Sequence, residues 1–308
     1  MKHHSLNHVG LTVLATITLA TPAFAVVSMS WTTIGDVNNL ADPSTGYGAV
    51  DHAYNIGTYE VTNAQYVEFL NAKGSSNSAG IYTVTMGATG TYGGYITQNG
   101  SSGSFSYSVG STYANMPVVG VTWFNAARFC NWLSNGQGDG SMETGAYTLN
   151  NAMSGVILAN AGAQIYIPSE DEWYKAAYYN CVTSTYSRYP NGQDTVTLAD
   201  ANYWPDDAVS PEGLGLADVG YGTASSYGTY GQGGNAWEWD DAVLGSSRGL
   251  RGGSWGDYAA YMTSSIGGNA DPSDEYNGVS FRVVSIPEPS CVVLTILASG
   301  VLVIYRKR

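Results

Sequence analysis

The 308-residue chain carries 24 Asp plus Glu against 11 Lys plus Arg, a formal net charge of −13 that repels phosphate backbones and excludes nucleic-acid binding. Gly, Ser, Thr, Asn and Tyr are abundant and Lys is scarce, a balance that points to loops and β-structure over long helices. Three cysteines cannot form a disulfide framework; with Cys291 near the end, Cys130 and Cys181 either form one bridge or sit as small buried residues.

The chain opens on Lys2, an apolar run over 9–19 and Ala23-Phe24-Ala25, the charged, apolar and small-residue parts of a secretory signal peptide cut after Ala25. Export is therefore expected, leaving residues 26–286 as one large domain with a sizeable core. Those residues hold 7 Lys plus Arg and 23 Asp plus Glu, a net charge near −16 suited to solubility and to attracting divalent cations.

Residues 26–50 predict irregular extended chain, and 51–59 a short strand with His52 as a strand-end surface residue. Thr62 with Gln65 forms a capping-box pattern, and Tyr66, Phe69, Leu70 and Lys73 share a face, so 62–72 reads as helix. Over 73–115 the alternations Tyr82, Val84, Met86 and Phe105, Tyr107, Val109 predict small surface hairpins. Residues 116–121 read as a buried strand leading to Thr122. A second helix then carries Trp123, Ala126, Ala127, Cys130 and Leu133 inward, ends at Gly136, and offers Arg128 as a surface or interface ion-pair partner.

Strands are expected at 146–149 and 163–167. A third helix follows, with Ser169 as N-cap, Glu172 closing a capping box, and Trp173, Ala176 and Ala177 buried. Glu170, Asp171 and Glu172 favour its N-terminus electrostatically. No helix is expected after Asn180. Residues 226–255 pack glycines at 228, 231, 233, 234, 252 and 253 against Trp237, Trp239 and Trp255, with oxygens from Asn235, Glu238, Asp240 and Asp241. This reads as an irregular, ordered segment, either a glycine-bent core or a ligand site. A polar loop over 256–276 and a closing strand over 278–284 complete the domain, with its first and last strands side by side.

Residues 287–308 begin Pro287-Glu288-Pro289, continue as an apolar run over 291–305 and end Arg306-Lys307-Arg308. Fifteen helical residues span roughly 22 Å against a hydrocarbon core of roughly 30 Å, so this is a marginal membrane span with its basic end cytoplasmic. The layout resembles the PEP-CTERM sorting signal, which implies an exosortase-type partner enzyme and the envelope, surface or matrix of a Gram-negative bacterium.

The ordered blocks YEVTNAQYVEFLNA, PVVGVTWFNAARFCNWLSNG, IPSEDEWYKAAYY, ANYW, SYGTYGQGGNAWEW, RGLRGGSW and VSFRVV resemble the successive signatures of the formylglycine-generating enzyme, or sulfatase-modifying factor, family over about residues 47–284. The resemblance implies an α+β, loop-rich, C-type-lectin-like fold with few helices and short strands. Oxidising members bind copper(I) through two cysteines shortly after the GGS(W/Y) block. Here those places hold Asp257 and Met262, a hard oxygen ligand and a thioether, so a bis-thiolate site cannot be built. Trp237 and Ser254 match family active-site positions. Iron is equally unsupported, since a facial triad wants two histidines and only His52 lies outside the leader. A Ser-His-Asp arrangement would also depend on His52, and nothing marks a nucleophile elbow.

For calcium, the resemblance maps a first position onto Asn202, the Tyr203 carbonyl, Glu212 and the Leu214 carbonyl, an oxygen-only set. A second maps onto the carbonyls of Gly234 and Ala236 and the carboxylate of Glu238, weakened because Gly231 stands where a side-chain ligand is expected. Hydrogen bonding that merely holds these loops is the alternative. The expected function is a non-oxidising, exported domain that binds an exopolysaccharide or peptide in a cleft between the 202–239 loops and the 254–276 loop. The alternatives are an oxidoreductase with altered metal ligands drawn from Asp257, His52 or Glu238, and a purely structural envelope component.

Overall fold

The computed structural model describes residues 26–90, 93–205 and 215–287. All four α-helices among the described residues start at side-chain caps. In α1 (Asn63–Lys73) the Gln65 amide donates to Thr62 Oγ1 at 3.2 Å and the Thr62 amide to Gln65 Oε1 at 2.9 Å, completing the expected capping box. Thr122 caps α3 (Trp123–Ser134), whose residues from Trp123 to Leu133 are all buried, so this helix runs through the core and not along it. Ser169 and Glu172 close the box of α4 (Glu170–Tyr178). The remaining helix, α2 (Val84–Gly87), is a single turn.

Short strands join these helices. β1 (Trp31–Ile34), β2 (Tyr54–Gly57), β5 (Ile165–Tyr166) and β12 (Val284–Ser285) form one sheet in the order β1-β2-β12-β5. Val284 opposite Ile56 joins the end of the domain to its beginning, as expected. A second sheet has the order β10-β9-β8-β11, from β8 (Trp237–Leu244), β9 (Ser247–Arg251), β10 (Gly268–Ala270) and β11 (Val279–Phe281). The hairpins β3 (Ile96–Asn99) with β4 (Ser106–Val109) and β6 (Tyr179–Asn180) with β7 (Thr185–Tyr186) lie outside both. The main core joins α1 and α3 to the second sheet through aromatic contacts, Phe129 meeting Tyr66 at 5.9 Å, Phe69 at 5.6 Å and Phe281 at 5.5 Å between centroids.

Several expectations need correction. Tyr82, Val84 and Met86 do not alternate along a strand: Thr83 caps the one-turn α2, burying Met86 and leaving Val84 exposed. Within 116–121, residues 117–121 are buried but form no strand, because Pro117 lacks a donor and Gly120 turns with φ of 73°. Residues 226–255 are not irregular throughout, since β8 and β9 form a hairpin there. The closing strand splits at Arg282, with β11 and β12 in different sheets. The loop after Trp255 contains a 3₁₀ turn, Ala259–Met262, and 146–149 contributes only a bridge between Tyr147 and Ala159. Cys130 and Cys181 are both free, and Arg128 is buried against Glu143 at 2.7 Å, not on the surface.

Arg282 interrupts the closing strand because it points inward. Its guanidinium donates to both oxygens of Glu238 at 2.5 Å each and to the carbonyls of Gly57 and Tyr230 at 2.9 and 2.8 Å. Trp173 Nε1 donates to the same Glu238 at 2.7 Å, so one ion pair ties β2, α4, β8 and the 230 loop together. On its other side Glu60 Oε2 lies 4.0 Å from Arg282 and has no hydrogen bond, while Asn235 donates to Glu60 Oε1 at 3.0 Å. Burial first, then the neighbouring Glu238, pushes the Glu60 carboxyl up to about 7. A Cβ on Gly231 would lie 2.3 Å from Glu60 Oε2, so this position needs glycine for space.

His52 is no isolated surface residue. Its Nε2 meets Glu172 Oε1 at 3.0 Å and its Nδ1 meets Asp51 at 2.9 Å, and the hydrogen bond to Glu172 leads in raising its pKa to about 9. A cation so held adds stability that is complete below about 6.5 and is lost as pH rises through about 9. Burial likewise pushes Asp240 up to about 7. Folded Glu60 and Asp240 keep protons that the unfolded chain has shed, so stability also declines from about pH 4 to about pH 7.

Thermal melts from about pH 5 to about pH 9 should therefore show a falling midpoint, with Glu60→Gln flattening the segment below about 7 and His52→Gln the segment above about 6.5. Slopes unchanged by both substitutions would contradict the assignment. Arg282→Met leaves two carboxyls buried without their cation and is expected to cost about 3–5 kcal/mol in urea unfolding. A loss below roughly 1 kcal/mol, the scale of an exposed pair, would remove the pair from its central place.

Candidate functional site

The β8–β9 hairpin returns the chain through Gly252 and Gly253, with φ of 101° and 73°, and presents Ser254 and Trp255 on the far side. The turn that follows is closed by Asp257. Its Oδ2 accepts from the Ser254 amide at 2.9 Å, from Ser254 Oγ at 2.6 Å and from Trp237 Nε1 at 2.8 Å. The Trp204 amide donates to the Asp257 carbonyl at 2.8 Å, and Trp204 bridges in parallel to Tyr258. Three segments distant in sequence thus converge on one half-buried carboxylate. Between them lies a cleft of about 260 Å³, lined by Trp204, Ser254, Trp255, Asp257, Asn277 and Gly278. Tyr258 and Tyr261, in the loop that follows Asp257, are exposed.

Of the four residues expected at the active-site positions, Trp237, Ser254 and Asp257 come together and Met262 does not join them. Met262 is fully buried in a cluster with Tyr189, Ala201 and Tyr203, and its sulfur packs beside Gly234. Asp257 lines the cleft, and among the described residues its Oδ1 accepts no hydrogen bond while Oδ2 is held by three donors. One carboxylate and one enclosed thioether do not fit copper(I), which needs accessible soft ligands. Among the described residues no three His, Cys, Asp or Glu side chains gather around a metal position.

The residues mapped for calcium are placed unequally. Asn202 is buried and donates to the Gly215 carbonyl at 2.9 Å and to Asn235 Oδ1 at 3.1 Å, and Tyr203 is buried beside it. Glu212 and Leu214 lie outside the described residues. At the second position Gly234 and Ala236 flank Asn235, but both oxygens of Glu238 are taken by Arg282 and Trp173. The space a side chain at 231 would use is filled by Glu60. That donor set does not fit a cation, because its carboxylate already neutralises a buried arginine.

Sequence reasoning passed over Glu60 and Arg282, though a signal existed: each is a lone charge in an apolar stretch, IGTYEVT and VSFRVV, and isolated buried charges of opposite sign seek each other. Trp204 closes the ANYW block, and nothing in the sequence brings it beside Tyr258.

The sulfatase-modifying factor enzyme 1-like domain profile matches residues 26–286. Hercynine oxygenase of Mycolicibacterium thermoresistibile is 28% identical over 193 residues, covering 61% of this chain and 35% of that protein. Serine/threonine-protein kinase pkn1 of Chlamydia caviae is 25% identical over 193 residues, covering 61% of this chain and 22% of that protein. The chain thus spans about a third or less of the length of these curated relatives. The solved structure of CarF superposes with a TM-score of 0.58 at 19% identity, over 85% of this chain and all of that one, and shares the fold. Its few helices, short strands and long ordered loops agree with the α+β reading, and the chain belongs to the sulfatase-modifying factor enzyme 1-like domain family.

Proposed function

We propose that this is a non-oxidising member of its family, an exported domain that uses the cleft beside Asp257 to bind a ligand or partner. One observation carries the reading: where a soft ligand pair is expected, Asp257 is fastened by Trp237 and Ser254 while Met262 is enclosed elsewhere. No route to oxygen activation through copper thiolates is available to such a pair. An oxidoreductase with other ligands finds no support, because His52 is held by Asp51 and Glu172, Glu238 by Arg282, and Asp257 by the cleft turn.

Exported status and surface sorting belong to the same proposal, resting on the leader at 1–25 and the tail at 287–308, which an exosortase-type enzyme would handle. Among the described residues no helix is long and apolar enough to cross a membrane, and the tail lies outside them. Exopolysaccharide and peptide are the partner classes that tyrosine-rich loops suit, since aromatic rings give contact area at low entropic cost.

Incubation of the copper-treated domain with a cysteine-bearing peptide in air should leave the peptide unchanged by mass spectrometry. Conversion of cysteine to the aldehyde would overturn the proposal. Calcium is proposed only at the Asn202 position, so millimolar calcium should raise the melting temperature relative to chelator, and Asn202→Ala should abolish the difference. Equal melting temperatures in the unaltered domain would remove calcium from the account.

A further inference from the structure

The distribution of positive charge is more informative than its total. Of the seven Lys and Arg between residues 26 and 287, Arg128, Lys175, Arg248, Arg251 and Arg282 are all buried. Lys73 is half-buried, and Arg188 is the one exposed cation among the described residues. Seven carboxylate residues, Asp271 and Glu275 among them, are exposed. The basic side chains hold the interior together, so the face offered to partners is anionic almost throughout. Such a surface disfavours polyanions and raises the local concentration of cations.

The cleft follows the same sign. Asp257 Oδ1 accepts no hydrogen bond among the described residues, while Oδ2 is fixed by three donors, so the carboxylate is held in place with one oxygen free. Half-exposed Trp204 lines the cleft with it, and a ring beside a carboxylate forms a favourable setting for an ammonium group. A second hollow of about 380 Å³, with Glu275 and Tyr276 in its wall, shares Asn277 with the cleft.

Most backbone amides lining the cleft are already engaged. The amides of Trp204, Trp237, Trp255 and Asp257 donate to Asp257, Gly278, Asn235 and Ser254 carbonyls. With only the Asn277 and Gly278 amides left without a partner among the described residues, an extended peptide finds little main-chain pairing, and recognition falls mainly to ring faces and side-chain oxygens. Those groups match a chain of pyranose rings, whose C–H faces lie on aromatics and whose substituents meet carboxylates.

Resting on the binding function proposed above, we propose that the cleft takes a cationic amino-sugar chain, with an ammonium group on Asp257 Oδ1 and a sugar face against Trp204. The test is calorimetric titration of residues 26–287 with a glucosamine hexamer at about pH 5.5, beside its fully N-acetylated counterpart and hexalysine as arms. The glucosamine hexamer should bind at least about tenfold more tightly than the acetylated one, a difference of about 1.4 kcal/mol, and should weaken as salt rises.

Asp257→Asn keeps an oxygen to accept from Trp237 and Ser254 but removes the charge, and should erase that tenfold preference. Trp204→Ala, which keeps the backbone bond from residue 204 to the Asp257 carbonyl, should weaken both sugars by a similar factor and leave the tenfold preference in place. Equal affinity for the two sugars, or a preference that survives Asp257→Asn, overturns the cationic assignment and leaves the binding function standing. Tighter binding of hexalysine than of glucosamine moves the partner to basic peptide and overturns the sugar assignment. Aldehyde formation on a cysteine peptide remains the separate outcome that would remove the binding function itself.

Discussion

The Arg282–Glu238 pair is the constraint around which this domain is arranged. A guanidinium excluded from water needs its charge and donors met, and here one carboxylate and two carbonyls from different parts of the chain meet them. Meeting them fixes where β2 ends, where β8 starts and how α4 presents Trp173. With little regular structure to define relative positions, such a node does what long sheets do elsewhere. Glu60, second in line for the same cation, remains incompletely paired, and burial, then the neighbouring Glu238, raises its carboxyl.

From this node the chemistry of the cleft follows in a few steps. Trp237 opens β8 one residue before Glu238, so the strand that delivers the buried carboxylate inward delivers an indole N–H outward to Asp257. The glycine turn after β9 then returns Ser254 and Asp257 to that indole. A frame that could hold a reactive centre is present. The groups placed in it are suited to holding a ligand: a fixed carboxylate, aromatic walls, and no soft ligand pair. Burial of the basic residues in the scaffold leaves the outer surface acidic, and the interior ion pairs and the external charge thereby have one origin.

Local signals were legible where local physics decides the outcome. Thr62 with Gln65 and Ser169 with Glu172 mark helix starts because each box closes within four residues. The apolar spacing from Trp123 to Leu133 marks a buried helix for the same reason. The β8–β9 hairpin was hidden because Glu238 and Asp240 occupy inward positions, so the strand lacks apolar alternation. The break at Arg282 was hidden because its partner lies 44 residues away. Within the site, Asp257 and Trp237 were legible through family resemblance, whereas the separation of Met262 from Asp257 depends on how a 3₁₀ turn directs two side chains of one loop.

Whether the cleft has given up metal-based oxidation is the point on which this account stands, and copper(I) affinity measures it most directly. In competition with a colorimetric copper(I) chelator under anaerobic conditions, the unaltered domain should leave the metal on the chelator at every protein concentration. Stoichiometric withdrawal of copper from the chelator, lost on substitution of Asp257 or Met262, would contradict the account.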